Sequence, residues 1–167
     1  MKWRAVWSEN MTYIKHPKHI PFEYSKITDC IYLGTNQCCI KHNFAEKLIK
    51  NGIEADISLE YENIDAPFGA KYFLWLPVKD HTAPTQKQLL IGARILKDFS
   101  KNKIKVYVHC KRAHGRSPTL VVAYFILQGK TTKEAIEIIR ERRPSVHLRK
   151  SQIKLLKNFE KRLKNGK

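Results

Sequence analysis

One short segment with a single cysteine and a single arginine restricts what this chain of 167 residues can fold into. From residue 109 to residue 117 it runs His-Cys-Lys-Arg-Ala-His-Gly-Arg-Ser, so five residues separate Cys110 from Arg116. The β-branched and aromatic residues 105–108 precede it, and the apolar residues 120–127 follow it. This order predicts a strand, then a loop, then a helix.

Such a loop can hold a phosphate and attack it, because its N–H groups and the positive end of the helix dipole converge on one point. Arg116 can bind two phosphate oxygens with its planar, permanently charged guanidinium. The same field favours the nucleophilic thiolate form of Cys110. Ser117 is expected at the N-cap and Pro118 at the first helical position, so that the helix begins just after Arg116. His109 is expected to point to the opposite side of the strand and to fix the loop by hydrogen bonding.

A departing phosphoester oxygen needs a proton, which a carboxylic acid on a second loop can supply. Asp80 is the candidate, because it follows a predicted strand and precedes a helix that opens at Thr85. Thr85 and Gln88 have the spacing of a capping box. Two alternatives stay open: Asp80 caps a turn, or His81 is the donor.

The segment 109–117 resembles the phosphate-binding loop of the cysteine-dependent protein phosphatases, His-Cys-x5-Arg-Ser/Thr. The resemblance extends roughly from residue 24 to residue 163. It includes further stretches typical of dual-specificity phosphatase domains: residues 31–34, 48–53, 56–60 and 143–146. Residues 77–85 and 106–111 are most similar to the mitochondrial PTP-like branch, which acts on phosphatidylglycerophosphate and related lipids.

The resemblance implies a metal-independent phosphatase with a phosphocysteine intermediate and no cofactor. Cys110 attacks phosphorus in line, Arg116 and the loop amides stabilise the equatorial oxygens, and Asp80 protonates the leaving oxygen. Asp80 then activates water. The resemblance also implies that the Ser117 hydroxyl hydrogen-bonds the departing sulfur, a role compatible with that of an N-cap.

The loop departs from the resembling enzymes at two positions. Arg112 and Ala113 stand where alanine and glycine are usual. The extra cations of the loop favour substrates with several negative groups, such as phosphoinositides, phosphatidylglycerophosphate, polyphosphorylated peptides or a 5′ RNA end. His114 is expected either as neutral packing or as a switchable cation. The predicted substrate-binding residues are Lys111, Arg112, Ala113, His114 and Gly115.

The charge of the chain is strongly positive and unevenly distributed. Lysine and arginine number 32 against 15 acidic residues, which gives a net charge of +17. Residues 51–70 carry five acidic groups and no lysine or arginine, whereas residues 130–167 carry thirteen basic residues against four glutamates. Such a field favours anionic partners. A phosphorylated protein or another anionic phosphomonoester is the expected partner, an anionic membrane surface stays open, and nucleic acid is less favoured.

The pattern predicts one α/β domain over residues 24–164, after an N-terminal arm at residues 1–23. A central mixed sheet flanked by helices, with a C-terminal helical segment, is the expected architecture. Strands are predicted near 27–33, 54–59, 71–76 and 105–109. Helices are predicted near 43–51, 85–100, 117–128, 132–142 and 150–164, the fourth opened by a capping box of Thr131 with Glu134.

The location expected from the sequence is the cytoplasm. The longest apolar run, residues 120–127, is shorter than the ~20 residues of a membrane span, and no signal-peptide pattern follows the first residues. The four cysteines show neither a paired framework nor a Cys-x-x-Cys spacing, which fits a reducing compartment. The seven histidines form no recognised ligand pattern, so no metal is expected.

Four functions follow from these patterns. The leading one is a dual-specificity phosphatase for phosphotyrosine, phosphoserine and phosphothreonine in proteins. The first alternative is a lipid phosphatase for phosphatidylglycerophosphate or a phosphoinositide. An RNA 5′-phosphatase is less favoured, because those enzymes generally lack an acid at the position of Asp80. A catalytically silent phosphate-binding module is the last alternative.

Overall fold

The computed structural model describes residues 21–37, 44–64 and 68–166, so most of the predicted N-terminal arm lies outside the described residues. Within these ranges the strands are β1 (Tyr24–Lys26), β2 (Ile31–Gly34), β3 (Ile53–Glu60), β4 (Tyr72–Val78) and β5 (Lys105–His109). The helices are α1 (Phe44–Lys50), α2 (Gln86–Lys101), α3 (Arg116–Leu127), α4 (Thr132–Arg142) and α5 (Lys150–Asn165). The mixed α/β architecture is confirmed.

The five strands form one sheet in the order β1-β2-β5-β3-β4. β1 pairs with β2 in the antiparallel sense, and the other pairs are parallel. The carboxyl ends of β3, β4 and β5 therefore meet at one edge of the sheet. In open α/β sheets this edge is where ligands bind.

The helix α3 is the central helix of the fold, as its apolar sequence predicts. Ten of its twelve residues are buried, and it packs on α2, α4 and α5. Gly92 of α2 permits the close approach of these helices, because a Cβ at this position would lie 2.5 Å from Leu120 Cδ1. α3 thus packs tightly between the sheet and the neighbouring helices.

Two details of the predicted elements are wrong. α3 begins at Arg116 with Gly115 at its N-cap, so Ser117 is already the second helical residue and does not cap the helix. The strand predicted near 27–33 is β2, which begins at Ile31, and the unpredicted three-residue strand β1 precedes it. β1 is too short to show a periodic pattern, and it lies at the edge of the sheet.

Both predicted capping boxes are present. The Thr85 hydroxyl accepts from the Gln88 N–H at the start of α2, and the Thr131 hydroxyl accepts from the Glu134 N–H at the start of α4. In each case the Glu or Gln side chain accepts from the N–H of the threonine. In the part of the chain that the structure describes, no helix combines the length and apolarity needed to cross a membrane.

Candidate active site

Three segments meet at the carboxyl edge of the parallel strands. We name the first, residues 110–116 from the end of β5 to the first residue of α3, the cysteine loop, and the second, residues 79–84 between β4 and α2, the aspartate loop. The third contains Glu62 and follows β3. The first two segments, together with residues just before and at the start of α5, line a cavity of about 530 Å³. Its lining residues are Asp80, His81, Cys110, Lys111, Arg112, His114, Gly115, Arg116, His147, Arg149 and Gln152.

Cys110 lies directly after the central strand and is 2% exposed. The Ser117 hydroxyl donates a hydrogen bond to Cys110 Sγ over 3.2 Å. Ser117 is itself fully buried, so this donor is held next to the sulfur by the packing of α3. A hydroxyl in this position stabilises negative charge on the sulfur. This contact matches the role that the family resemblance implied for Ser117.

Arg116 is held in one orientation by three acceptors. Its Nη1 donates to Glu62 Oε2 over 2.6 Å and to the Val78 carbonyl over 2.9 Å. Its Nη2 lies 3.2 Å from Asp80 Oδ1. Burial opposes the charged form of Arg116, yet the charge of Cys110 and the hydrogen bond to Glu62 raise the pKa of Arg116 above its ordinary value. The guanidinium is therefore a fixed positive charge beside the cysteine.

Asp80 enters the same cavity from the aspartate loop. Its side chain is 44% exposed and lies on the open side of Arg116. The Asp80 N–H donates to Glu62 Oε1 over 2.7 Å, and Asp80 Oδ1 accepts from the His81 N–H over 2.9 Å. The structure thus brings the predicted acid, the predicted nucleophile and the predicted phosphate-binding arginine together.

Glu62 is a site residue that the sequence analysis missed. Its two oxygens join Arg116 to the backbone of Asp80. Burial raises the pKa of the Glu62 carboxyl, but the hydrogen bonds from Arg116 and from the Asp80 N–H outweigh it and lower the pKa below its usual range. A carboxylate just after β3 was the available signal, since parallel strands end at a common edge.

His109 lies on the far side of the central strand and does not line the cavity. It is fully buried, its Nε2 lies 3.1 Å from Asp56 Oδ1 on β3, and its ring stacks on Tyr107 at 5.4 Å. These contacts hold the end of β5, from which the cysteine loop departs. The His109 side chain points to the opposite side of the strand, as predicted. Its contact with Asp56 is to the neighbouring strand β3 and not to the loop.

The five residues inside the cysteine loop divide into two groups. Lys111, Arg112, His114 and Gly115 line the cavity, whereas the Ala113 side chain is fully buried away from it. Ala113 has φ +53°, a left-handed conformation that favours glycine. A role of Ala113 in substrate binding can therefore involve only its backbone.

A second set of missed residues precedes α5. The His147 N–H donates to the His114 carbonyl over 3.0 Å, which fastens this segment to the cysteine loop. Gln152 is 1% exposed, and its Nε2 donates to the Thr82 carbonyl over 2.9 Å. A Cβ at Gly115 would lie 3.0 Å from the Gln152 amide, so this side chain also touches the cysteine loop. Gln152 therefore joins the two loops.

The arrangement has the parts needed to transfer a phosphoryl group. A buried sulfur with a hydroxyl donor lies beside a fixed guanidinium, and a carboxyl group lies on the open side of both. Among the described residues, no three His, Cys, Asp or Glu side chains are grouped as metal ligands. The side chains present include the predicted nucleophile, the predicted charge-stabilising cation and the predicted acid.

Comparison with known proteins identifies similar sequences. The family model "Dual specificity phosphatase, catalytic domain" matches residues 31–162. Phosphatidylglycerophosphatase and protein-tyrosine phosphatase 1 of Rattus norvegicus is 37% identical over 81 residues, which are 48% of this chain and 42% of the rat protein. Dual specificity protein phosphatase 5 of the same organism is 29% identical over 123 residues, 72% of this chain and 31% of that protein. The chain thus spans less than half the length of these curated relatives.

Solved structures give a similarity over most of the chain. The crystal structure of PTPMT1 is similar with a TM-score of 0.74 and 29% identity, covering 86% of this chain and 98% of that chain. The crystal structure of PTPMT1 in complex with PI(5)P gives a TM-score of 0.75 and 28% identity, covering 86% of this chain and 97% of that chain.

Proposed function

Because the chain belongs to the family of dual-specificity phosphatase catalytic domains, we propose that it hydrolyses phosphomonoesters through a phosphocysteine intermediate. The observation that carries this proposal is the single cavity that contains Cys110, Arg116 and Asp80. The Ser117 hydroxyl at 3.2 Å from Cys110 Sγ supports the sulfur as the reacting atom.

In the first step Cys110 Sγ attacks phosphorus, so that a P–S bond forms while the P–O bond to the leaving group breaks. Arg116 and the N–H groups of the cysteine loop stabilise the charge on the equatorial oxygens. Asp80, protonated in the reactive complex, gives its proton to the leaving oxygen. Glu62 keeps the Arg116 fork oriented through its 2.6 Å contact.

In the second step water attacks the phosphocysteine. Asp80, now ionised, accepts a proton from this water, and the P–S bond breaks to release inorganic phosphate. The sulfur leaves as a thiolate, which the Ser117 hydroxyl stabilises from its buried position. Each step in this scheme uses a group of the chain itself.

Two substrate classes are candidates for this chemistry. The dual-specificity family supports phosphoproteins, the class favoured by the sequence analysis. A phosphomonoester on a lipid headgroup is the second candidate, and the similarity to a PTPMT1 structure that holds PI(5)P favours it. A net charge of +17 supports an anionic membrane surface as a further partner, and the cytoplasm remains the proposed location.

The test is phosphate release from a substrate panel, with the Cys110→Ser variant as the blank. The panel contains phosphotyrosine and phosphoserine peptides, phosphoinositides, phosphatidylglycerophosphate and 5′-triphosphorylated RNA. Turnover by the wild type and none by the variant is the expected result, and the preferred substrate assigns the class. No turnover of any phosphomonoester by the wild type contradicts the proposal and leaves a silent phosphate-binding module.

A further inference from the structure

The outer face of α5 carries a row of lysines. Lys150, Lys154, Lys157, Lys161 and Lys164 follow one another at intervals of four, three, four and three residues. This spacing places them above one another along a helix. All five residues are exposed, and at a rise of 1.5 Å per residue the row is about 21 Å long. We name this row the lysine stripe.

The lysine stripe lies opposite the face of α5 that packs on the protein. The buried residues of this helix are Gln152, Leu156 and Phe159. With 3.6 residues per turn, these three lie on the other side of the helix from the lysines. The uncharged exposed residues beside the stripe are Ser151, Asn158 and Asn165. The outer face of α5 therefore presents positive charge and no negative charge.

The protein does not neutralise this row. The one acidic residue of α5, Glu160, accepts from the Thr132 hydroxyl over 2.7 Å and from Lys164 Nζ over 2.6 Å. Over the ranges 21–37, 44–64 and 68–166, the other four lysines of the stripe form no salt bridge. Like charges three or four residues apart destabilise a helix. No acidic side chain among the described residues relieves this repulsion.

Several lysines elsewhere in the fold have an acidic partner. The pairs are Lys26 with Asp29, Lys50 with Glu46 and Lys71 with Glu54, at nitrogen–oxygen distances of 2.5 to 2.8 Å. A helix face that serves only to contact solvent typically alternates the two signs of charge, as the pair on α1 does. The stripe has lysine at both positions of such spacings. Its composition therefore indicates an anionic partner.

The shape of the stripe favours a flat partner. The depression that borders it has a volume of about 330 Å³ and is lined by Lys150, Ile153, Lys154, Lys157 and Asn158. This lining has no arginine or aromatic side chain to stack on nucleic acid bases. Its one apolar side chain, Ile153, is too little to anchor a docked peptide. The ammonium groups instead suit a bilayer surface, where binding depends on charge more than on fit.

The stripe begins beside the cavity of the candidate active site. Arg149 at the N-cap and Gln152 in the first turn of α5 line that cavity, and Lys150 is the first helical residue. A surface that contacts the stripe along its length therefore comes within about one helical turn of the cavity.

We propose that the lysine stripe docks the protein on a bilayer surface rich in anionic lipid. The surface is recognised by its charge and not by one headgroup. The cavity is then held next to the bilayer, whichever phosphomonoester it takes. Docking does not depend on the proposed reaction, because no residue of the stripe lines the cavity.

Sedimentation of the full chain with lipid vesicles tests the docking. The vesicles consist of phosphatidylcholine alone, or of phosphatidylcholine with about one third of phosphatidylglycerol or of phosphatidylserine. We expect similar partition coefficients for the two anionic compositions and no binding to phosphatidylcholine. Binding should weaken as salt rises, because the charges of the stripe are exposed.

A combined variant identifies the surface. Its substitutions are Lys150→Gln, Lys154→Gln, Lys157→Gln and Lys161→Gln. A lysine near an anionic bilayer contributes about fivefold to binding, so the combined variant should lose at least about 10²-fold in partition coefficient.

The matched control removes four exposed lysines on α2 or just after it and gives the same net charge. Its substitutions are Lys87→Gln, Lys97→Gln, Lys101→Gln and Lys103→Gln. This control should lose less than about fivefold, because charges beyond a Debye length from the bilayer contribute little.

Acetylation of the wild-type protein supplies a second readout that needs no variant. Lysines that face the bilayer react more slowly with a soluble acetylating reagent. Anionic vesicles should therefore protect Lys154, Lys157 and Lys161 severalfold and leave Lys97 and Lys101 unchanged. Mass spectrometry of the digested protein measures the extent of reaction at each lysine.

Several results would overturn the inference. Absence of binding to anionic vesicles, or equal binding to phosphatidylcholine, excludes docking by charge. Equal losses in the two combined variants, or equal protection of the lysines of α2 and α5, show that net charge and not the stripe determines binding. Displacement of the protein from vesicles by single-stranded RNA or poly-glutamate at an equal concentration of charge excludes a bilayer as the preferred partner.

Hydrolysis of 4-nitrophenyl phosphate without vesicles is measured for the wild type and both combined variants. Equal rates show that the variants are folded and that the stripe does not act in the reaction. Absence of hydrolysis by the wild type overturns the proposed function, whereas the vesicle experiments still decide the docking.

Discussion

The two loops that meet in the cavity are held in place by different means. The cysteine loop connects the central strand to the central helix, and its two functional residues are 2% and 3% exposed. The aspartate loop is largely exposed, and His81 within it has φ +64°, a conformation unusual for a residue other than glycine. The proposed nucleophile is therefore positioned by its own strand and helix, whereas the proposed acid depends on contacts from elsewhere.

Those contacts come from two distant parts of the chain, the segment after β3 and the start of α5. Glu62 accepts from the Asp80 N–H, the Gln152 amide donates to the Thr82 carbonyl, and Arg149 contacts His81. Two of these contacts therefore come from the start of α5 and one from the segment after β3. Changes in the cysteine loop should therefore abolish activity on every substrate. Changes in these contacts should reduce activity only on substrates whose leaving group must be protonated.

The largest effect is expected for Cys110→Ser. Without the thiolate no phosphocysteine can form, so phosphate release should fall by at least about 10⁴ for every substrate. The buried loop should stay folded, because the oxygen replaces sulfur at nearly the same position. Thermal unfolding and phosphate binding check that the fold is retained. Residual turnover above 1% of wild type, in protein free of contaminating phosphatase, would contradict the role of Cys110.

Asp80→Asn, in the aspartate loop, should reduce activity by an amount that depends on the leaving group of the substrate. The amide cannot donate the required proton, so kcat for alkyl phosphates should fall about 10²- to 10⁴-fold. Aryl phosphates with acidic leaving groups need little protonation and should lose much less. Steady-state kinetics with a series of leaving groups measures how the loss in kcat depends on the acidity of the leaving group. A loss that is equal for all of them argues that Asp80 is not the general acid.

Gln152→Met removes the donor that holds Thr82 and keeps the side-chain volume similar. We expect a loss in kcat of about tenfold for alkyl phosphates and little change for 4-nitrophenyl phosphate, because the acid is misplaced and the nucleophile is not. Gln86→Met is the matched control, since Gln86 also donates to a carbonyl, that of Leu155, over 3.1 Å. Equal losses on both substrates would instead show that Gln152 acts through Gly115 and the cysteine loop.

The difference between a loop held by adjacent residues and a loop held by distant contacts also explains how much could be predicted from the sequence. Cys110 and Arg116 could be predicted because they share one short motif, and Asp80 because it follows a predicted strand and precedes a predicted helix. Gln152 could not be found, since its role requires α5 to pack against both loops. Ser117 was wrongly expected as an N-cap, because the local pattern did not reveal that the N-cap is Gly115, two residues earlier. Its hydrogen bond to Cys110 Sγ was expected only from the family resemblance.

Glu62→Gln should change the stability of the protein in a way that depends on pH. The pKa of Glu62 is lowered in the folded protein, so its stabilising contribution is fully present above its ordinary value of about 4.3 and is lost as pH falls through the lowered value. The variant should therefore unfold more easily than the wild type at neutral pH, and the two should converge in acid. Urea unfolding at pH 7 and at pH 3 checks this. A constant difference between the two pH values would contradict the ionic role of Glu62.

The smallest effect is expected for Ala113→Gly. Glycine should relieve the left-handed strain at φ +53° but loses a fully buried methyl group, worth about 0.8 kcal/mol. Gly129→Ala measures the strain by itself, because Gly129 has φ +92° and its added Cβ would meet no atom within 4 Å. We expect Gly129→Ala to lower the free energy of unfolding by about 1 kcal/mol and Ala113→Gly to change it by less than about 0.5 kcal/mol. A loss well above 1 kcal/mol for Ala113→Gly would mean that packing of this methyl group, rather than backbone conformation, determines the shape of the cysteine loop.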